Sequence, residues 1–372
     1  MIYYDNAATS YPKPRCVTER LNSCLKKYCG NPGRSSHLLA LRAAEEIYSV
    51  REKVSELLQA PVCEGVVFTY NATYALNMAI KAIINKKCHV IISDIEHNSV
   101  IRPLEILKKT LGIEYDTFES EGNVRENIEK LIRPDTACII STLASNVTGM
   151  EISEYLLSKV ASDNGLDLIL DASQAIGHRE INLTLTPCSV LCAPAHKGLY
   201  GIQGCGFCVF KDTVRHSDFL AGGSGSDSLN KFMPEFLPEG YEAGTLATPA
   251  ISSLGAGIDY IKDYGIKEIA EKTADISDKI KERLYALKNA VLYPSYGSII
   301  SFNIKDLTSN ELARELDSYD ICVRSGLHCA PSVHKKLGTL STGCVRISLS
   351  SFNTLKEIDR FYKALKKISE DI

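Results

Sequence analysis

Two side chains of opposite charge close neighbouring apolar runs in this 372-residue sequence: Asp171 ends Leu168-Ile169-Leu170, and Lys197 follows Pro194-Ala195-His196. An apolar strand ending in Asp puts a carboxylate at the carboxyl edge of a sheet, where open α/β proteins bind ligands; a second strand brings His196 and Lys197 to the same edge. Either residue alone reads as a solvated strand end. Together they match the needs of pyridoxal phosphate, which takes a lysine to condense with its aldehyde and an acid beside its ring nitrogen, so that the protonated ring acts as an electron sink. No G-x-G-x-x-G or G-x-x-x-x-G-K-[ST] string occurs, so dinucleotide and nucleoside triphosphate chemistry has no sequence support.

The elements that must position these groups show two periods. Apolar residues at Ala43, Ile47, Val50, Val54, Leu57 and Leu58 predict an amphipathic helix over 36–58. Val66 to Thr69 reads as a short strand, and Asn71-Ala72-Thr73 as a helix start that continues over Tyr74 to Ile84. Short apolar runs at His89 to Ser93, Ala137 to Thr142, Leu166 to Leu170, Ser189 to Ala193 and Gly206 to Phe210 read as strands buried on both faces. Their alternation with helical stretches predicts an α/β fold with a largely parallel sheet covered on both sides. After Gly244 the pattern changes to helices over 250–264 and 266–288, strands near 297–304, 320–325 and 343–348, and helices over 309–318 and 354–368. The last begins with Thr354 and Glu357 in capping-box spacing. The expected division is a large cofactor-binding domain, 16–250, and a smaller α+β domain made of 1–15 and 251–372.

Composition narrows the function classes. With 42 Lys and Arg against 45 Asp and Glu, the net charge of −3 argues against an electrostatic nucleic-acid clamp. No apolar run approaches the ~20 residues that span a bilayer, and Met1-Ile2-Tyr3-Tyr4 shows no basic stretch leading into an apolar core. A cytoplasmic protein is expected, with its thirteen scattered cysteines mostly reduced and buried. The Asn-x-Thr triplets at Asn71, Asn146 and Asn182 then escape glycosylation. Cys188, Cys192, Cys205 and Cys208 superficially resemble a zinc site. However, strand residues three apart point to opposite faces, so Cys205 and Cys208 diverge and no metal is expected.

From Tyr4-Asp5-Asn6-Ala7-Ala8-Thr9 to Val345-Arg346-Ile347-Ser348 and Phe352-Asn353-Thr354, the ordered motifs resemble the class V aminotransferase family of fold-type I pyridoxal phosphate enzymes. Within it the resemblance is to the second group of the cysteine desulfurase and selenocysteine lyase branch. It implies that Ala72 and Thr73 hold the cofactor phosphate at a helix N-terminus, where exposed N–H groups and the dipole favour an anion. His97 would stack on the pyridine ring, Asn146 would lie near the substrate and the ring oxygen, Gln174 would bond the ring hydroxyl, and His196 would sit beside the phosphate. Gly244 and Thr245 correspond to a pair that reaches the phosphate of the neighbouring subunit, which implies a homodimer. Gly222-Gly223-Ser224-Gly225-Ser226 reads as a surface loop. Arg346 corresponds to the guanidinium that grips the substrate carboxylate, a group its planar fork suits. Cys329, in Arg324-Ser325-Gly326-Leu327-His328-Cys329-Ala330-Pro331, corresponds to the catalytic cysteine. Nearby Arg324 and His328 are expected to favour its thiolate, lowering a pKa that is about 8.5 when unperturbed.

The implied activity is conversion of L-cysteine to L-alanine with a persulfide on Cys329, passed on to an acceptor protein or a reductant. The alternatives are a selenocysteine lyase or other C–S lyase that forms no persulfide, and a non-catalytic scaffold. The chain departs from the family pattern at Pro194-Ala195, where Ser-Gly is frequent, and at Ile202, Cys205 and Leu327, where Pro, Thr and His are frequent.

Overall fold

A computed structural model describes residues 1–33, 37–211, 219–225 and 229–371. Seven strands form the main sheet, in the spatial order Val66–Thr69, Gly206–Phe210, Val190–Pro194, Asp167–Asp171, Thr136–Thr142, His89–Ser93, Glu114–Phe118. Gly206–Phe210 runs antiparallel to both neighbours, and the other strand pairs are parallel. The sheet is therefore mostly parallel, as the alternation predicts. The predicted helix over 36–58 spans Leu38–Leu58, with Ser36 outside the described residues. Among the described residues no helix is long and apolar enough to cross a membrane.

Helices cover both faces of this sheet. Leu38–Leu58 and Thr248–Tyr264 bury Ile47, Val50, Val54, Ile251, Leu254 and Ile258 against one face, while Ala72–Ile83 and Asn98–Leu111 bury Leu76, Met78, Ile80 and Leu104 against the other. The four cysteines of the zinc-like spacing divide between these layers: Cys188 and Cys205 lie in the first core, Cys192 and Cys208 in the second. The sheet thus separates the two pairs.

Helix Asn98–Leu111 and the edge strand Glu114–Phe118 have no counterpart in the sequence reading. The strand reads Glu-Tyr-Asp-Thr-Phe and buries only Phe118 fully, so it lacks the apolar run that marks its neighbours. Helix Thr248–Tyr264 lies in the main-sheet core rather than beside the small sheet. Its Gly257 touches the turn after Lys197: a Cβ there would stand 1.9 Å from the Leu199 carbonyl oxygen. Only glycine allows that approach.

The second unit is a three-stranded antiparallel sheet, Val345–Ser348, Ile299–Ile304 and Ala290–Leu292 in spatial order. Helices Ile266–Tyr285, Ser309–Ser318 and Leu355–Glu370 build a core with it around Phe302, Phe361 and Leu365. The capping box of Thr354 and Glu357 is formed. The segment expected as a strand over 320–325 is reduced to Ile321–Cys322, which pairs in parallel with Ile2–Tyr3. That pairing holds the first residues of the chain beside Arg346, because Asp5 bridges to Ser348 on the strand carrying it.

Candidate active site

One cavity at the carboxyl edge of the main sheet is lined by Ala72, Thr73, His97, Asn146, Asp171, Gln174 and Lys197. Seven of the sequence-derived candidates therefore meet in one place. Ala72 and Thr73 open helix Ala72–Ile83, which Asn71 caps by accepting from the Tyr74 N–H at 2.9 Å. The helix start can press against strand Gly206–Phe210 because a Cβ on Gly206 would come within 2.6 Å of the Asn71 backbone. First-turn N–H groups have no partner within their own helix and suit an anion. Thr73 Oγ1 lies 2.8 Å from Ser99 Oγ, which lies 2.8 Å from His97 Nδ1. His97 caps the next helix, Asn98–Leu111, by accepting from the Ser99 N–H at 3.0 Å.

Asp171 ends its strand, 3% exposed, and accepts from the Ser173 N–H at 2.8 Å. Lys197 follows strand Val190–Pro194 in a tight turn, with the Tyr200 N–H donating to its carbonyl at 2.9 Å. Burial brings the Lys197 ammonium down to about 8, against the pull of Asp171 and with help from the Arg346 and Arg324 charges. Burial also lowers the His97 pKa, opposed by Asp171 and assisted by Lys197, which favours a neutral ring. Behind them Glu96 is fully buried; burial raises its carboxyl to about 8, so it is a neutral acid at neutral pH. It accepts from Ser93 Oγ and from the Thr142 N–H. Gln174 Nε2 donates to the Ala7 carbonyl at 3.1 Å, fixing the amide against the N-terminal segment.

His196 lies outside the residues lining this cavity. Its carbonyl accepts from the Ser10 N–H at 3.0 Å, Thr9 Oγ1 at 3.1 Å and Lys13 Nζ at 3.1 Å. Its Nδ1 is buried without a partner, and burial together with Lys197 and Lys13 pushes the ring down to about 4. An orphaned imidazole nitrogen, a helix start with free N–H groups, a buried carboxylate and an amine held near neutrality fit a phosphorylated pyridine aldehyde.

A second group of candidate residues is built across the two units. Arg346 is buried in strand Val345–Ser348; one terminal nitrogen donates to Asp5 Oδ1 at 2.7 Å and the other to the Asn146 carbonyl at 2.9 Å. Asn146 Nδ2 donates to the His328 carbonyl at 2.6 Å, and the Asn98 N–H to the Cys329 carbonyl at 2.8 Å. These bonds hold consecutive non-glycine residues in the left-handed region, His328 at φ 49° and Cys329 at φ 57°, a conformation that survives only where surroundings enforce it. Cys329 is exposed, whereas eight of the thirteen cysteines are buried.

His328 corrects an expectation. Its ring is buried, with Nε2 donating to the Cys344 carbonyl at 3.1 Å, and burial followed by the Arg346 charge pushes it down to about 2. It is neutral and cannot favour the Cys329 thiolate as a cation. Local sequence placed it next to the thiol, but the left-handed turn sends its side chain inward.

Gly244 and Thr245 do not line the main cavity. They are exposed and border a second cavity of about 640 Å³ together with Asn31, Arg51, Gly223 and Glu242. A buried ion pair between Arg51 and Glu242 at 2.9 Å anchors the segment, and the Gly244 N–H donates to the Gly223 carbonyl at 2.8 Å. Of the glycine-rich loop 222–226, Ser226 lies outside the described residues. Ser99, which joins His97 to Thr73, and Asp5, which pairs with Arg346, were given no role from sequence. A helix N-cap at His97, which the sequence reading lacks, is the signal that leads to Ser99; nothing local leads to Asp5.

The aminotransferase class-V family model matches residues 2–361. The chain belongs to that family, and its fold is the fold-type I arrangement of a large mostly parallel sheet with a smaller α+β unit. Among its relatives is a probable cysteine desulfurase of Methanothermobacter thermautotrophicus, 31% identical over 99% of this chain and 94% of that one. A probable cysteine desulfurase of Pyrococcus abyssi is 30% identical over 100% of this chain and 95% of its own. The apo cysteine desulfurase of Thermococcus onnurineus superposes with a TM-score of 0.92 at 30% identity, covering 100% of this chain and 95% of that one.

Proposed function

We propose that this chain is a pyridoxal 5'-phosphate-dependent cysteine desulfurase, converting L-cysteine to L-alanine and leaving a persulfide on Cys329. The observation that carries the reading is the placement of an exposed cysteine by a main-chain bond to the helix start after His97, 2.8 Å from the Asn98 N–H to the Cys329 carbonyl, and by the Asn146 side-chain amide, which donates to the carbonyl of the preceding His328. Relatives and a structural neighbour named as cysteine desulfurases support it over a thiol-independent lyase.

Ala72, Thr73 and His196 would hold the phosphate, with Gly244 and Thr245 reaching in from the other subunit of a homodimer. Asp171 would face the ring nitrogen, His97 would stack on the ring, and Gln174 and Asn146 would bond its oxygen. The cofactor, when bound, supplies an aldehyde for Lys197 and a ring that accepts an electron pair. Arg346 would grip the α-carboxylate and Asn146 would orient the substrate. Lys197, whose ammonium is brought down to about 8 by burial, is suited to take the α-proton. Cys329 Sγ, as the thiolate, would then attack the substrate sulfur: an S–S bond forms, the C–S bond breaks with its electron pair left on Cβ, Cβ takes a proton, and Lys197 returns its proton at Cα so that alanine leaves. The persulfide passes to an acceptor protein or a reductant. We place the enzyme in the cytoplasm, with the expected cofactor-binding body of 16–250 extended through helix Thr248–Tyr264, and 1–15 with the rest of the chain as the body that brings Arg346 and Cys329. The C-x3-C…C-x2-C cysteines are given no metal.

The test compares wild type with Cys329→Ala, following alanine and sulfide from cysteine in the presence of a reductant. Sulfur release should fall by roughly 10²-fold or more. Retained release in the variant would favour the thiol-independent lyase. A wild type that gains no visible absorption with pyridoxal phosphate would favour the scaffold reading.

A further inference from the structure

Arg346 poses an electrostatic problem before any substrate arrives. Its side chain is only 2% exposed, and a buried guanidinium without a counterion is strongly destabilising. The Arg324 and Lys197 charges act on the same space, which raises the demand for an anion there. The anion present is Asp5, whose Oδ1 lies 2.7 Å from the guanidinium.

The two partners are held very differently. Arg346 is also fixed by the Asn146 carbonyl at 2.9 Å, and its main chain exchanges two hydrogen bonds with Arg324. The Asp5 main chain is locked by the Ala8 and Thr9 N–H groups, which donate to its carbonyl, and by its bridge to Ser348. The Asp5 side chain is 20% exposed, and among the described residues no other hydrogen bond holds its carboxylate. Arg346 Nε is buried and has no hydrogen-bond partner among the described residues, so the guanidinium is held only through its two terminal nitrogens.

We propose that Asp5 is a resident stand-in for the substrate carboxylate: it pairs with Arg346 in the resting enzyme and gives up the guanidinium when an amino acid arrives. This deepens the proposed function and rests on Arg346 as the carboxylate-binding residue. Asp5 is a positioning and specificity-determining residue that acts through Arg346. It keeps the fork oriented in the empty site, and it sets the carboxylate affinity by competing for the same positive charge. A ligand with an amino group but no carboxylate gains nothing from Arg346 and is indifferent to Asp5.

The experiment titrates the holoenzyme with L-alanine and with ethylamine, reading the visible spectrum of the bound cofactor. Asp5→Asn keeps an acceptor for the guanidinium and removes the competing charge. It should tighten L-alanine by roughly tenfold, lower the KM for cysteine more than it changes kcat, and leave ethylamine affinity as it was. Asp5→Glu, which restores the charge, should return L-alanine affinity towards the wild-type value. L-alanine affinity that is unchanged or weaker in Asp5→Asn overturns the proposal. Should that variant not fold, a structure of the wild-type holoenzyme with L-alanine decides: the ligand carboxylate on Arg346 with Asp5 turned away supports it, and Asp5 still within hydrogen-bond distance overturns it. A wild type that binds L-alanine yet makes none from cysteine removes the desulfurase reading and leaves the Asp5 result intact.

Discussion

At the scale of single residues, the site works by removing charge where chemistry needs a lone pair. Desolvation brings Lys197 down to about 8, so its free-amine fraction rises as pH climbs through that value. Uptake of pyridoxal phosphate by the apo-protein should therefore quicken from pH 6.5 to about 9 and then level off, followed by visible absorption. Lys197→Ala should abolish cofactor fixation by borohydride. The same physics turns His97, His196 and His328 into neutral rings. Asp171 is legible because a strand that stops on a charged residue is a local pattern, and Lys197 because it closely follows the end of the neighbouring apolar strand. His328 was misread because a one-dimensional string does not record that φ is 49° there and that the side chain turns inward.

At the scale of elements, the ends of strands and helices do the positioning. Two helix starts, at Ala72 and Asn98, are tied together through Thr73, Ser99 and His97. Beneath the second lies Glu96, whose carboxyl is raised to about 8 by burial. Because the unfolded chain ionises this group near 4.5 and the folded chain only near 8, the folded state binds more protons between those values. Stability is therefore lost as pH rises across the window, by on the order of 5 kcal/mol in total. Glu96→Gln, which mimics the neutral acid, should flatten that slope and be the more stable protein at pH 8; urea unfolding at pH 5, 6.5 and 8 measures it. Strands buried on both faces were legible as apolar runs. Glu114–Phe118 was not, because an edge strand with one wet side needs no such run.

At the scale of the whole molecule, residues far apart in sequence complete the site, and one pair belongs to a second cavity altogether. Gly244 and Thr245 are exposed beside Arg51 and Glu242, well placed to face another copy. Sedimentation should find a dimer, and Thr245→Ala should weaken cofactor binding by about tenfold. Mixing Lys197→Ala chains with Thr245→Ala chains should create hybrids with one site of normal affinity, because that site takes its lysine from one chain and its threonine from the other. Wild-type affinity that never returns on mixing would put Thr245 and Lys197 in the same subunit's site. The partnership of Asp5 with Arg346 spans 341 positions, a separation at which no periodicity or motif carries information.

That span also has a temporal side. Ile2 and Tyr3 find their pairing strand only once Ile321 and Cys322 exist, and Asp5 meets its guanidinium later still. A ribosome that has delivered the entire main sheet, whose last strand ends at Phe210, has delivered neither Cys329 nor Arg346. Loop-closure entropy makes that last docking slow. The proposed carboxylate grip and thiol are therefore completed only by the small-sheet unit, after the cofactor side of the proposed site has been synthesised.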